Sequence, residues 1–127
     1  MQRVYLVTHP EASHHVDGLV GGWYDSELTQ HGLSEAERIA RFLRGAISDD
    51  TEAQLVTSDL TRTLQTAAAI GAALGVDPVI EAGLREKSYG VAEGCPQSWL
   101  DERFVFPPER GERLDHDEGI GGGETKR

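Results

Sequence analysis

Three short apolar runs alternate with two longer stretches in which apolar residues recur at helical spacing. Arg3–Val7, Gln54–Thr57 and Pro78–Glu81 are brief and largely apolar, as buried strands are. Between them, one helix is predicted to begin between Thr29 and Ser34, and a second to cover Leu60–Leu74. The order β-α-β-α-β predicts an α/β three-layer sandwich, with a mostly parallel sheet flanked by helices.

The sequence also predicts the start and the apolar face of the first helix and the end of the second. Ser34 and Glu37 have the spacing of a capping box. The second helix should end at Gly75, with Pro78 soon after it. The apolar face of the first helix consists of Ala36, Ile39, Ala40, Leu43 and Ile47.

The remaining segments are predicted mostly as loops. Glycines punctuate residues 8–28 and 83–97, whereas Ser98–Phe104 is predicted as a short helix. Residues 107–124 hold two prolines and five glycines among acidic side chains, which indicates an exposed loop. The closing GGGETKR resembles the start of a helix, so we expect one domain over residues 1–127 that is truncated on its C-terminal side.

The net charge of the chain limits the kinds of molecule that it is expected to bind. The net charge of −10 disfavours nucleic acid and anionic membranes, but leaves room for a small anion in a local basic pocket. No apolar run is long enough to span a bilayer. The single Cys95 excludes an internal disulfide and fits a reducing compartment, so the cytoplasm is the expected location.

Polar residues follow each predicted strand at its carboxyl end. His9, Arg62 and Glu86 should therefore meet at one edge of the sheet, where parallel α/β folds bind ligands. The N–H groups at the start of the second helix and the guanidinium fork both favour an anion. Glu86 could protonate a leaving oxygen if burial or the anion raises its pKa. Each residue alone is more simply explained as a surface residue, but the three together indicate an anion site.

Four further histidines could suggest a metal-binding site, namely His14, His15, His31 and His116. Adjacent histidines on a loop rarely converge on one ion, and no cysteine or carboxylate pattern with ligand spacing accompanies them. No metal is predicted.

Five blocks in order resemble the signatures of the histidine phosphatase superfamily. The first reads Thr8-His9-Pro10-Glu11, where the superfamily has Arg-His-Gly-Glu. The second consists of Asp25, Leu28, Thr29 and Gly32, and the third of Ser58, Leu60, Arg62, Gln65, Thr66 and Ala67. The fourth consists of Leu84, Glu86, Gly90, Glu93 and Gly94, and the fifth is the run from Gly122 to Thr125. The resemblance implies a phosphoglycerate mutase-like fold.

The resemblance also implies residue roles. His9 would be the nucleophile that becomes a phosphohistidine, and Arg62 would hold the phosphate oxygens. Glu86 would donate a proton to the leaving group and then activate water. Thr8 and His15 would complete the phosphate pocket, His15 at a position where the superfamily often has asparagine. No cofactor is implied. Glu11 would lie in the loop that shapes substrate entry.

Two departures bear on activity. Thr8 replaces the arginine of the first signature, which should cost roughly 3–4 kcal/mol of transition-state stabilisation. Pro10 replaces a glycine and removes a backbone N–H from the loop. The superfamily's second catalytic histidine would fall beyond Arg127.

The predicted function is hydrolysis of a small phosphomonoester. Three alternatives remain: phosphoryl transfer of the phosphoglycerate mutase type, a catalytically weak protein that binds an anion, and chemistry on a different anion in a rebuilt pocket. The expected partner is a small phosphorylated substrate or another small anion, with no nucleic acid and no membrane. A homodimer is left open.

Overall fold

The structure, a computed structural model, describes residues 3–103. In chain order its elements are α1 (Ser13–Val16), α2 (Gln30–Ala46), β1 (Val56–Thr57), α3 (Thr61–Leu74), β2 (Val79–Ile80) and α4 (Gln97–Arg103), with short 3-10 turns at Ala82–Leu84 and Gly90–Ala92. The predicted helices at the positions of α2, α3 and α4 are confirmed. The predicted loop over residues 107–124 and the helix start after it lie outside the described residues.

Helix α2 begins earlier than its predicted capping box. Thr29 is the N-cap, and its Oγ1 accepts a hydrogen bond from Gly32 N at 3.0 Å. Ser34 lies more than a turn inside the helix, so the prediction of a Ser34–Glu37 cap is wrong. The N-cap position goes to the residue whose side chain can reach the free N–H groups at the helix start, and Thr29 already does so. The predicted end of α3 is confirmed, because Gly75 follows it with a left-handed φ of 71°.

The core lies between α2 and α3. Ala40 and Leu43 of α2 pack with Ile70 of α3, and all three are buried. Ile39 and Ile47, also on the predicted apolar face, are partly buried against the same cluster. These contacts confirm the predicted apolar face of α2. They also hold α3 against α2, which positions the start of α3 relative to the loops before α2.

Strands β1 and β2 pair in parallel, with Val56 opposite Val79 and Thr57 opposite Ile80. The prediction of a buried strand over Arg3–Val7 is wrong. Within the described residues this segment pairs with no strand, and the side chains of Val4 and Leu6 are 84% and 95% exposed. An open cavity of about 1020 Å³ lies between this segment and β1. Apolar character predicts that a segment tends to be buried, but a strand also needs a hydrogen-bonded neighbour, and none of the described residues supplies one.

Among the described residues, the longest apolar helical stretch still falls short of what a membrane crossing requires.

Candidate active site

The side chains of His9, Arg62 and Glu86 meet at the carboxyl edge of the sheet. Arg62 Nε donates a hydrogen bond to His9 Nε2 at 3.2 Å, and Arg62 Nη2 donates to Glu86 Oε2 at 3.1 Å. His9 Nε2 lies 3.5 Å from Glu86 Oε2. The three residues come from segments that follow the first apolar run, β1 and β2, which is the juxtaposition that the sequence predicts.

The guanidinium of Arg62 is held by hydrogen bonds to the loop before α2. Its side chain is fully buried, and Nη1 donates to the carbonyl oxygen of Tyr24 at 2.5 Å and, more weakly, to Ser26 Oγ at 3.4 Å. Nη2 also donates to the carbonyl oxygen of Gly22. These contacts hold the guanidinium in one orientation. Its Nε–Nη2 edge therefore faces His9 and Glu86, and this edge has the geometry for two parallel bonds to one anion.

The hydrogen bonds of His9 fix its tautomer. A guanidinium nitrogen can only donate, so Nε2 of a neutral His9 must accept from Arg62. The ring proton then lies on Nδ1, which donates to the carbonyl oxygen of Pro10 at 2.8 Å. The unprotonated Nε2, the nitrogen that carries the in-plane lone pair, consequently faces Arg62 and Glu86.

The pKa of Glu86 is lowered in this arrangement. Burial, the largest effect, raises it, but the hydrogen bond and positive charge of Arg62, together with those of His9 when its ring is protonated, outweigh burial. Burial therefore does not raise the pKa of Glu86 enough for an acid role in this structure. An acid role would require an incoming anion to take over the Arg62 edge.

Two further imidazole rings stand beside His9. His14 is buried, and its Nδ1 lies 2.6 Å from Ser26 Oγ, the hydroxyl that also approaches Arg62. His15 is exposed, and its ring stacks on that of His9 with centroids 5.6 Å apart. The sequence singled out His15 for this pocket but not His14 or Ser26, whose roles depend on a contact between residues 12 positions apart.

Acid should destabilise the protein through His14. Burial, reinforced by the charges of His15, Arg62 and His9, lowers the pKa of His14 from 6.5 to about 4. The unfolded chain thus gains this proton first as pH falls, so stability present above about pH 6.5 is lost toward about pH 4, by about 3 kcal/mol. We expect His14→Asn, whose Oδ1 can accept from Ser26, to show a flatter pH dependence of urea unfolding. Equal pH dependence in both proteins would contradict a buried neutral His14.

The start of α3 is not free to bind an anion through Thr61. Asp25 Oδ1 accepts a hydrogen bond from Thr61 N at 2.6 Å, and Asp25 Oδ2 accepts from Thr61 Oγ1 at 2.9 Å. The prediction of free N–H groups at this helix end is therefore wrong for Thr61. A carboxylate already offsets the positive end of the helix dipole there. The second block did contain Asp25, but its spacing alone did not indicate that it caps a helix 36 residues away.

The loop after His9 is pinned to the first turn of α2. Thr29 N donates to the carbonyl oxygen of Glu11 at 3.1 Å, and Thr29 Oγ1 donates to Glu11 Oε1 at 2.6 Å. Gly32 passes so close that a Cβ there would lie 2.0 Å from the Glu11 carbonyl oxygen. The Glu11 side chain is thereby bound to the N-cap of α2. Thr8 is exposed and makes no hydrogen bond or ion pair with another described residue.

Over residues 3–103, no three His, Cys, Asp or Glu side chains are arranged to hold a metal ion.

The family model of the histidine phosphatase superfamily (branch 1) matches residues 4–127. The chain belongs to this superfamily. It is 36% identical over 96 residues to the probable phosphoglycerate mutase GpmB of Yersinia pestis (strain Pestoides F), a match that covers 76% of this chain and 43% of that protein. The chain thus spans less than half the length of this relative.

Solved structures agree with the α/β, phosphoglycerate mutase-like fold. A mycobacterial glucosyl-3-phosphoglycerate phosphatase, solved with VO3, superposes with a TM-score of 0.73 at 26% identity, covering 92% of this chain and 54% of that one. A phosphoserine phosphatase from Entamoeba histolytica, solved with 3-phosphoglyceric acid, gives 0.61 at 27% identity, covering 73% and 44%.

Proposed function

We propose that the protein hydrolyses a small phosphomonoester through a phosphohistidine intermediate on His9. The observation that carries the proposal is the Nε–Nη2 edge of the buried Arg62, which faces both His9 Nε2 and Glu86 Oε2. A phosphate group on this edge would lie between a nucleophile and a proton donor, the two groups that stepwise transfer needs.

The reaction would proceed in two balanced steps. The lone pair of His9 Nε2 attacks phosphorus while the ester P–O bond breaks, and Glu86 gives its proton to the departing oxygen. Water then attacks the phosphohistidine, Glu86 takes a proton from that water, and inorganic phosphate leaves with Nε2 restored. Arg62 neutralises charge on the transferred group in both steps.

The anion itself would prepare Glu86 for the first step. In the structure, contacts with Arg62 help to lower the pKa of Glu86. A bound phosphate competes for the same guanidinium edge and brings negative charge next to the carboxylate, and both effects raise that pKa. Substrate binding and protonation of the acid are then coupled.

Phosphoryl transfer between two positions of a phosphorylated acid is the second candidate, supported by the relative named as a probable phosphoglycerate mutase. Both reactions share the phosphohistidine and differ in whether water or a hydroxyl group takes the phosphoryl group. Incubating the complete protein with 3-phosphoglycerate and with a panel of phosphomonoesters, then measuring isomer and inorganic phosphate, separates them. The proposal requires phosphate release, and isomer without phosphate would replace it.

For partners, the proposal is limited to a small phosphorylated substrate. The net charge of −10 supports the exclusion of nucleic acid and anionic membranes. The cytoplasm is the location that the proposal assumes.

Glu86→Gln should lower kcat on alkyl phosphates by about 10²–10⁴-fold, the usual range for a lost general acid. Glutamine keeps an oxygen that can accept from Arg62 but has no proton of suitable acidity to give. KM should stay level or fall, because a negative charge beside the bound anion is removed. On p-nitrophenyl phosphate, whose leaving group needs less protonation, the loss should be much smaller. An equal loss on both substrates would contradict the acid role.

Thr8→Arg should raise kcat/KM toward simple phosphomonoesters by about 10–100-fold, part of what one charged donor can supply. Thr8 is exposed, so a longer side chain has room there. Thr8→Gln, which adds length without charge, is the matched control and should change little. A fall in activity with arginine would indicate a pocket rebuilt for another anion, and no change would show that position 8 does not face the reacting group.

A further inference from the structure

His15 sits in a cluster of three imidazole rings at the candidate site. Its ring centroid is 4.0 Å from that of His14 and 5.6 Å from that of His9, with the rings of His15 and His9 inclined by only 23°. His14 and His15 belong to α1, which directly follows the loop after His9. His15 is thus the exposed member of a compact cluster whose other two rings are buried or half-buried.

The backbone fixes which nitrogen of His15 can act. Ala12 N donates a hydrogen bond to His15 Nδ1 at 3.0 Å, so Nδ1 is the acceptor. The neutral ring must carry its proton on Nε2, and this nitrogen has no partner among the described residues. His15 therefore offers one N–H donor next to His9, whether the ring is neutral or charged.

The protein groups around His15 favour a neutral ring. Burial lowers the pKa of His15, and the positive charge of His9 when its ring is protonated and that of Arg62 lower it further, whereas Glu86 and Glu11 raise it. His14 is the remaining titratable neighbour, and its own pKa of about 4 keeps it neutral near pH 7. A bound dianion would reverse this balance, because it places negative charge where Arg62 and His9 now dominate.

We propose that His15 takes up a proton when a tetrahedral dianion binds beside His9, and then holds that anion as a cation. The proposal rests on the site of the proposed function but requires no turnover there. It assigns to His15 the positive charge that the neutral side chain of Thr8 cannot provide.

Calorimetric titration of the complete protein with sulfate at pH 7 tests this. Sulfate is a tetrahedral dianion that does not itself titrate near neutrality, so any proton taken up is taken by the protein. Repeating the titration in buffers of different ionisation enthalpy should give about one proton taken up per sulfate, and the sulfate Kd should rise close to tenfold per pH unit around neutrality.

Three variants locate the proton. His15→Asn keeps an oxygen that can accept from Ala12 N, and it should abolish the uptake and weaken sulfate binding at least about tenfold at pH 7. Glu86→Gln should retain the uptake, which excludes the Glu86 carboxylate as the group that takes up the proton. His31→Asn, on the exposed face of α2 where His31 pairs with Glu35, should match the unchanged protein.

Four outcomes would each overturn the proposal. Two concern the variants: proton uptake that persists in His15→Asn, and proton uptake that is lost in Glu86→Gln. The other two concern the unchanged protein: sulfate binding without proton uptake, and failure to bind sulfate. These outcomes are independent of the phosphatase proposal. If sulfate binding is coupled to proton uptake at His15 but no phosphate is released, this inference stands and the proposed function fails. If phosphate is released but sulfate binding is not coupled to proton uptake, the proposed function stands and this inference fails.

Discussion

Replacing His9 with alanine should abolish phosphate release, with a loss in kcat of about 10⁴–10⁶-fold, the range seen when a covalent nucleophile is removed. The imidazole is the group whose unprotonated nitrogen faces Arg62 and Glu86, at 3.2 and 3.5 Å. Without it, no phosphorylated intermediate can form. Only positioning and charge stabilisation of direct attack by water would remain.

Structural damage must be separated from this chemical loss. His9 is half-buried and its removal leaves Arg62 one acceptor short, so unfolding by urea should be measured for the same variant. His31→Ala is the control, since His31 is an exposed histidine of α2. A His9→Ala protein that folds normally and keeps more than about one-tenth of its activity would rule out His9 as nucleophile.

Replacing Arg62 should have the second largest effect. It should lower both the free energy of unfolding and the activity. Arg62→Met leaves the carbonyl oxygens of Gly22 and Tyr24 without their charged donor. The free energy of unfolding should fall by about 3 kcal/mol or more, since hydrogen bonds from a charged group contribute about 1.5–3 kcal/mol each. Activity should fall with it, because the edge that would hold the phosphate is lost.

Arg62→Lys separates the two effects. Lysine keeps a positive charge but cannot reach two backbone carbonyls and present two parallel donors to an anion. We expect activity to fall by about 10²–10³-fold, with kcat affected more than KM, in protein that is still folded. Arg38→Lys, on the exposed side of α2, should be neutral. Folded Arg62→Lys protein with normal kcat would show that the fork does not act on the reacting group.

The two central helices could be predicted because their signals are local. The apolar face of α2 repeats at the helical period, and Gly75 adopts the left-handed conformation that ends α3. His9, Arg62 and Glu86 could be placed at one edge for a related reason, since each follows an apolar run. A strand direction, once assumed, carries the next residue to a known side of the sheet.

Three of the failures involve contacts that local sequence does not encode. Arg3–Val7 has the apolar character of a strand, but pairing depends on a neighbour that its own residues do not specify. The start of α3 looked available to an anion because Asp25, its cap, lies 36 residues away along the chain. The pKa of Glu86 is lowered by Arg62 and His9, which also meet it only in the folded protein.

The most direct test of the central claim is to trap the intermediate. The complete protein is mixed with a phosphomonoester, quenched in base, which preserves acid-labile phosphohistidine, and digested for mass spectrometry. The account predicts a phosphoryl group on the peptide that contains His9, formed before phosphate is released and absent from His9→Ala. Phosphate release with no modified His9 peptide at any time, or with the phosphoryl group on another residue, would contradict it.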